Sequence, residues 1–117
     1  MIRFKEYMVF VTLVARPETG GTNLTLGERY LAVGINNDTY RVVDNELMAF
    51  VYPRDCFSPS DLTPPAGWTL TSHPDGSYQS YDPATGGKKV IMDMFDGDSE
   101  ATEEYLTRIR KLLAESV

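Results

Sequence analysis

Acidic side chains are concentrated in one short stretch near the end of the sequence. Residues 93–104 contain six carboxylates and no lysine or arginine. The whole chain has 117 residues, 17 acidic and 11 basic, and a formal net charge of −6 at pH 7. The six acids of this stretch equal the whole excess, so the remaining sequence is electrically balanced. Negative charge gathered in one place attracts a basic partner. The six are Asp93, Asp96, Asp98, Glu100, Glu103 and Glu104.

Three roles are open to this acidic stretch. Asp96, Asp98 and Glu100 stand at alternate positions and could offer oxygen ligands to calcium or magnesium. A calcium loop of the EF-hand type needs ligands over about twelve residues and ends in a bidentate glutamate, and here a helix is predicted to begin too early for that. The acids could instead cap that helix and form its solvated face. The third role is a surface that binds a partner protein.

The single histidine and the single cysteine do not form a recognisable catalytic pattern. His73 lies in a predicted turn, and general acid–base catalysis there would need a nucleophile and an orienting group nearby in space. Cys56 follows Arg54 and Asp55, and we predict a buried structural thiol. One cysteine excludes an internal disulfide, which suits a reducing compartment, and we predict a cytoplasmic protein. We assign no catalytic residue, metal ligand or cofactor.

Charge and hydropathy also bear on partners. Basic residues are scattered, so no basic stripe for nucleic acid is predicted. Residues 7–15 form an apolar run that is too short to cross a membrane, which takes about 20 residues. This run resembles a short signal peptide, but Glu6 and Thr12 interrupt the pattern and a first β-strand is the preferred interpretation.

Strand patterns dominate the first half of the chain. Residues 4–15 are rich in aromatic and β-branched side chains and apolar on both faces, which predicts a central strand or one that serves two sheets. Residues 24–35, 40–43 and 47–52 are separated by short turn sequences, and Pro53 ends the last of them. These segments predict a barrel-like meander over residues 24–57.

The second half is predicted to contain a hairpin, a strand and a helix. Residues 67–72 and 77–81 flank a Pro-Asp-Gly turn, and Tyr78 and Tyr81 beside it are candidates for exposed aromatic side chains. Residues 88–95 read as a further strand in which Ile91, Asp93 and Phe95 face outward if the alternate residues face the core. Residues 99–115 predict an amphipathic helix that is capped by Asp98 or Ser99. The fold class is therefore α+β, in a single domain over residues 1–117.

The meander resembles the SH3-like barrel core of many small uncharacterised bacterial proteins. This resemblance implies an SH3-like small barrel or a strongly curved sheet. Some of these proteins are of the toxin-immunity type, which implies an immunity or accessory role. A three-residue sequence, Asn45-Glu46-Leu47, replaces the usual glycine of the second turn, so that hairpin should be longer or bulged. The residues that carry the resemblance are Leu26-Gly27, Tyr30, Val33-Gly34-Ile35, Tyr40-Arg41-Val42, Tyr52-Pro53 and Phe57.

Our leading functional hypothesis is a non-enzymatic module that binds a basic protein through an acidic surface, as an immunity protein that neutralises a toxin would. The alternatives are a structural subunit of a phage or secretion assembly, which would associate through the first strand or the last helix, and a small metal-dependent enzyme. Nucleic acid and membrane are not expected as partners, and the oligomeric state is left open. The predicted partner-binding residues are Asp93, Phe95, Asp96, Asp98, Glu100, Glu103, Tyr78 and Tyr81.

Overall fold

The computed structural model describes residues 9–18, 20–83 and 85–115, which contain seven strands, two α-helices and a short 3₁₀ helix at Arg54–Cys56. The predicted first strand over residues 4–15 is therefore seen only in part, because its first five residues lie outside this range. The strands are β1 (Val9–Leu13), β2 (Arg29–Asn36), β3 (Thr39–Val43), β4 (Ala49–Pro53), β5 (Phe57–Ser58), β6 (Thr69–Ser72) and β7 (Tyr78–Tyr81); the helices are α1 (Lys88–Phe95) and α2 (Ser99–Glu115).

All strand pairs are antiparallel, and β2 is the central strand. The main order is β4-β3-β2-β1-β5, and β7 joins β2 and β6. One edge of β2 is shared by two strands: Ala32 pairs with Val9 of β1, and Gly34 pairs with Tyr81 of β7. In the described residues β4 and β5 do not pair, so the sheet is open. The α+β prediction is confirmed, and of its two alternatives the sheet is curved rather than closed into a barrel.

A β-bulge in β2 separates the part of this strand that pairs with β1 from the part that pairs with β7. Relative to β3, the register shifts between Ala32 and Gly34. An extra residue in a strand reverses which face the following side chains occupy. Accordingly Ala32 and Ile35, three positions apart, belong to the same core, whereas Val33 between them belongs to the other.

Each face of the sheet packs into its own hydrophobic core. The first core lies on the face away from the helices, and Tyr40 and Phe57 are its largest fully buried side chains. The second core lies between the sheet and the two helices, where Tyr105, Ile109 and Leu112 of α2 have no exposed surface. β1 contributes to both, because Val9, Val11 and Leu13 enter the first core and Phe10 packs against the second. Over Val9–Leu13, β1 lies between β2 and β5 in one sheet, as the central-strand alternative predicts.

The prediction of a strand over residues 88–95 is wrong, because these residues form α1. An apolar run of this length fits either element, since alternate spacing and helical spacing overlap over eight residues. Tertiary packing decides in favour of the helix. α1 places Ile91 in the second core with Val90 and Met94 against it, so it covers sheet surface that α2 leaves open. The helix predicted over residues 99–115 is confirmed with the same bounds.

Two polar contacts attach α2 to the sheet side of the molecule. The Tyr105 hydroxyl donates a hydrogen bond of 2.8 Å to the carbonyl oxygen of Leu47. Arg108 forms a salt bridge of 3.4 Å with Asp82, which is 1% exposed and also accepts a hydrogen bond of 2.6 Å from Thr85. Within the described part of the chain, neither helix is both long enough and apolar enough to traverse a lipid bilayer.

The backbone at Gly86 closely approaches the bulge of β2. A Cβ atom added at Gly86 would collide with the carbonyl oxygen of Val33, whereas one added at Gly76, on the hairpin turn, would meet nothing within 4 Å. Because the obstacle at Gly86 is backbone, Gly86→Ala should lower the free energy of unfolding by about 3 kcal/mol. Gly76→Ala, strained only through its φ of +89°, should cost about 1 kcal/mol. Urea denaturation would contradict this explanation if both variants lost the same stability.

The buried hydroxyl of Tyr105 should make the folded state less stable at alkaline pH. Burial raises the pKa of its hydroxyl, and the Asp44 carboxylate raises the pKa further. Above pH ~10 the unfolded chain releases this proton while the folded chain keeps it, so the free energy of unfolding falls as pH rises. Tyr105→Phe should be less stable at pH 7 by about 1 kcal/mol, through the lost hydrogen bond, and should lose less stability above pH ~10. Denaturation at a series of pH values would contradict this if both proteins showed the same alkaline slope.

Candidate protein-binding surface at the helix junction

The two helices meet in a tight corner that is built by two capping motifs. At the end of α1, the amide of Gly97 donates to the carbonyl of Met94 and the amide of Asp98 donates to that of Asp93, both at 3.0 Å. This Schellman arrangement requires the positive φ of 84° at Gly97. Asp98 then caps α2, because its Oδ1 accepts a hydrogen bond of 3.1 Å from the amide of Ala101. The corner therefore brings the acidic end of α1 next to the acidic start of α2.

The acids at this corner are largely free of intramolecular cations. Asp93 pairs with Lys89 at 2.8 Å, and this contact raises the pKa of Lys89. Asp98 is engaged as the helix cap. In the described part of the chain, the other four acids form no ion pair, and all four are exposed. These four are Asp96, Glu100, Glu103 and Glu104.

Large apolar side chains are exposed on α1, just before most of these acids in sequence. Phe95 is 57% exposed and Met92 is 52% exposed, three residues apart on α1. The ring of Phe95 lies 6.2 Å from the ring of Phe50 on the edge strand β4, and Phe50 is itself 40% exposed. Exposed aromatic and methionine side chains that adjoin one another are typical of interaction surfaces. We call the set Phe50, Met92, Phe95, Asp96, Glu100 and Glu103 the junction surface.

The structure brings six of the eight predicted partner-binding residues together and places the two tyrosines elsewhere. The six lie within eleven consecutive residues at the corner: Asp93, Phe95, Asp96, Asp98, Glu100 and Glu103. Tyr78 packs against the first core, on the far side of the sheet, and its hydroxyl lies 3.2 Å from Nη1 of Arg54. Tyr81 is half-buried against Gly87, in the segment that leads into α1.

Sequence reasoning missed two members of the junction surface. In a strand over residues 88–95 whose Ile91, Asp93 and Phe95 face outward, Met92 would face the core. Helical spacing would have placed Met92 and Phe95 on one face. The contact between Phe50 and Phe95 could not be predicted from the local sequence, because the two residues are 45 positions apart in the chain.

The two residues weighed for catalysis lie in different surroundings. Cys56 is a buried free thiol of the first core, and burial raises its pKa, as does the neighbouring Asp55. His73 is exposed on the turn between β6 and β7, where its amide donates to the carbonyl of Ser77 at 2.9 Å. Among the described residues, no three histidine, cysteine or acidic side chains are grouped so that they could hold a metal ion.

No family model matches this chain, and neither the curated proteins nor the solved structures contain a significant match. The resemblance of the meander to SH3-like bacterial proteins thus stays a prediction. The geometry of the junction surface is the basis for a functional proposal.

The acids at the corner should differ in what they contribute to folding. Asp98→Ala removes the cap of α2 and should lower the free energy of unfolding by about 1 kcal/mol. Asp96→Ala, two residues earlier at the end of α1, changes an exposed acid that has no ion pair among the described residues, and it should change stability by less than about 0.5 kcal/mol. Thermal or urea denaturation of the pair measures this difference, and equal losses would refute the capping role.

Proposed function

We propose that this protein is a non-enzymatic binding module whose junction surface docks a basic partner protein. The observation that supports the proposal is the exposure of Phe95 and Met92 together with that of four acids that form no ion pair within the described residues. An apolar centre with a charged rim is the general anatomy of a protein interface.

The two components of the surface would contribute in different ways. The unpaired acids create a negative field that speeds encounter with a basic protein and sets its orientation. The apolar side chains would supply most of the affinity once they are covered, because large aromatic residues dominate interface energetics. The field is local, since the acidic stretch accounts for the whole net charge of −6.

The specific version that we favour is a bacterial immunity protein that neutralises a basic toxin in the cytoplasm. A basic cleft that binds a negatively charged substrate is blocked effectively by a negatively charged protein. The resemblance of the meander to SH3-like immunity-type proteins supports this version. The single buried thiol of Cys56 suits a reducing compartment.

Self-association as an assembly subunit is the second candidate. β4 is an edge strand of the described sheet and carries two exposed apolar side chains, Phe50 at 40% and Val51 at 47%. Exposed apolar edge strands can pair with a second chain. Light scattering separates the candidates, because a stable ring or filament of this chain alone would favour assembly.

Charge reversal at the junction surface tests the leading proposal. Affinity capture from the native host, followed by mass spectrometry, would identify the partner, whose binding is then measured with purified proteins. In the triple variant Asp96→Lys, Glu100→Lys and Glu103→Lys, we expect the association rate constant to fall about tenfold or more at low salt and its salt dependence to flatten. Asp98 is kept because it caps α2.

A matched control separates the local field from overall charge. The variant Glu18→Lys, Glu28→Lys and Asp61→Lys changes three exposed acids outside the junction by the same total charge and should bind nearly as the natural protein does. Phe95→Ala should mainly raise the dissociation rate constant, because Phe95 supplies contact area rather than charge. Equal binding by the two triple variants would refute the proposed function.

A further inference from the structure

Asp44, at the turn between β3 and β4, has a buried carboxylate, one oxygen of which has no hydrogen-bond partner among the described residues. It is 3% exposed. Its Oδ1 accepts hydrogen bonds from the amides of Glu46 at 2.8 Å and Met48 at 3.0 Å, which stabilises a turn where Leu47 adopts a φ of 65°. Its Oδ2 has no hydrogen-bond partner among the described residues. The turn therefore gives a structural role to Oδ1 of Asp44 but none to Oδ2.

Basic residues of neighbouring segments do not neutralise this carboxylate. Arg16 donates to the carbonyls of Leu24 at 2.8 Å and Gly21 at 3.3 Å. Arg41 donates to the carbonyl of Ala49 at 3.2 Å. In the described part of the chain, neither arginine forms an ion pair with Asp44. A buried charge is costly unless it is paired, so this position favours an incoming cation.

Asp44 lines a pocket of about 390 Å³ that opens between the loop of residues 20–23 and strand β4. The aromatic rings of Phe50 and Tyr52 form part of its wall, and Asn23 adds a polar group. Burial raises the pKa of Tyr52, and the Asp44 carboxylate raises it further. Aromatic faces near a buried carboxylate suit an organic cation, through cation–π attraction and the electric field of the carboxylate.

The pocket is continuous with the junction surface through Phe50. This residue lines the pocket, and its ring lies 6.2 Å from that of Phe95. A partner seated on the junction surface would therefore have a side chain within reach of the pocket.

We propose that the Asp44 pocket receives a cationic side chain, lysine or arginine, of the basic partner, whose charged head group lies against the aromatic wall and is attracted by the buried Asp44 carboxylate. The assignment of the occupant to a partner rests on the proposed function. The affinity of the pocket for an alkyl cation does not, and it can be measured on this protein alone.

The test uses n-butylammonium to mimic a lysine head group and n-butylguanidinium to mimic an arginine head group. Binding of each probe is measured from the amide chemical shifts of this protein in an NMR titration. Saturable shifts at Gly20, Gly21 and Phe50 with at least one probe, and none with neutral n-butanol, are expected. Asp44→Asn keeps an oxygen for the amides of Glu46 and Met48 but removes the charge, and it should weaken probe binding about tenfold or more. Asp61→Asn, which removes one exposed charge elsewhere, should leave binding within about twofold.

A second variant keeps the test decisive if Asp44→Asn folds poorly. Phe50→Ala removes an aromatic wall that is 40% exposed, and it should weaken probe binding while the hydrogen bonds of the Asp44 turn remain. Absence of shifts with both cations, equal shifts with butanol, or undiminished binding by folded Asp44→Asn would overturn the pocket.

If the probes bind as expected but reversal of the junction acids leaves partner binding unchanged, the pocket stands and the proposed function fails. If partner binding depends on the junction acids and the probes do not bind, only the pocket inference fails.

Discussion

The burial of both faces of β2 is the constraint on which the rest of the structure depends. Six consecutive residues of this strand, 30–35, are buried, so apolar side chains point to both sides of the sheet. A sheet with two apolar faces must be covered twice. Curvature of the sheet and the segments that follow β4 and β5 cover one face, whereas the other needs the helices. The bulge at Val33 also lets β2 pair with β1 and then β7 along a single edge.

The exposed junction follows from how the helices satisfy this requirement. Ile91 of α1 and the apolar stripe of α2 are used to cover the sheet, so Phe95, Met92 and the acids remain on the outward sides. Part of the acidic stretch also serves the fold. Asp98 stops helix fraying at the corner, and the positive end of the α2 dipole favours acids in its first turn. The stretch is thus divided between Asp98, which caps the helix, and Asp96, Glu100 and Glu103, which form no ion pair within the described residues.

Two buried acids differ in how completely the described residues satisfy their carboxylate oxygens. Asp82 is held by Arg108 and Thr85, and it attaches α2 to the segment after β7. Asp44 is equally deep in the protein, but its second oxygen has no partner in the described residues and it lines a pocket with aromatic walls. A buried charge with a complete set of partners stabilises one arrangement, whereas an incomplete set leaves a position for a ligand.

The sequence by itself determined the features that neighbouring residues encode: the short antiparallel strands and their turns, the helix of residues 99–115 with a cap at Asp98 or Ser99, and the concentration of acids around its start. Caps, turns and periodicity act over a few residues, so they can be read locally. Only the tertiary structure decided that residues 88–95 form a helix, that Phe50 meets Phe95, that Tyr78 lies on the far side of the sheet, and that Asp44 keeps an unpaired oxygen. Each of these depends on contacts between distant segments, and over eight residues the local pattern suits a strand and a helix alike.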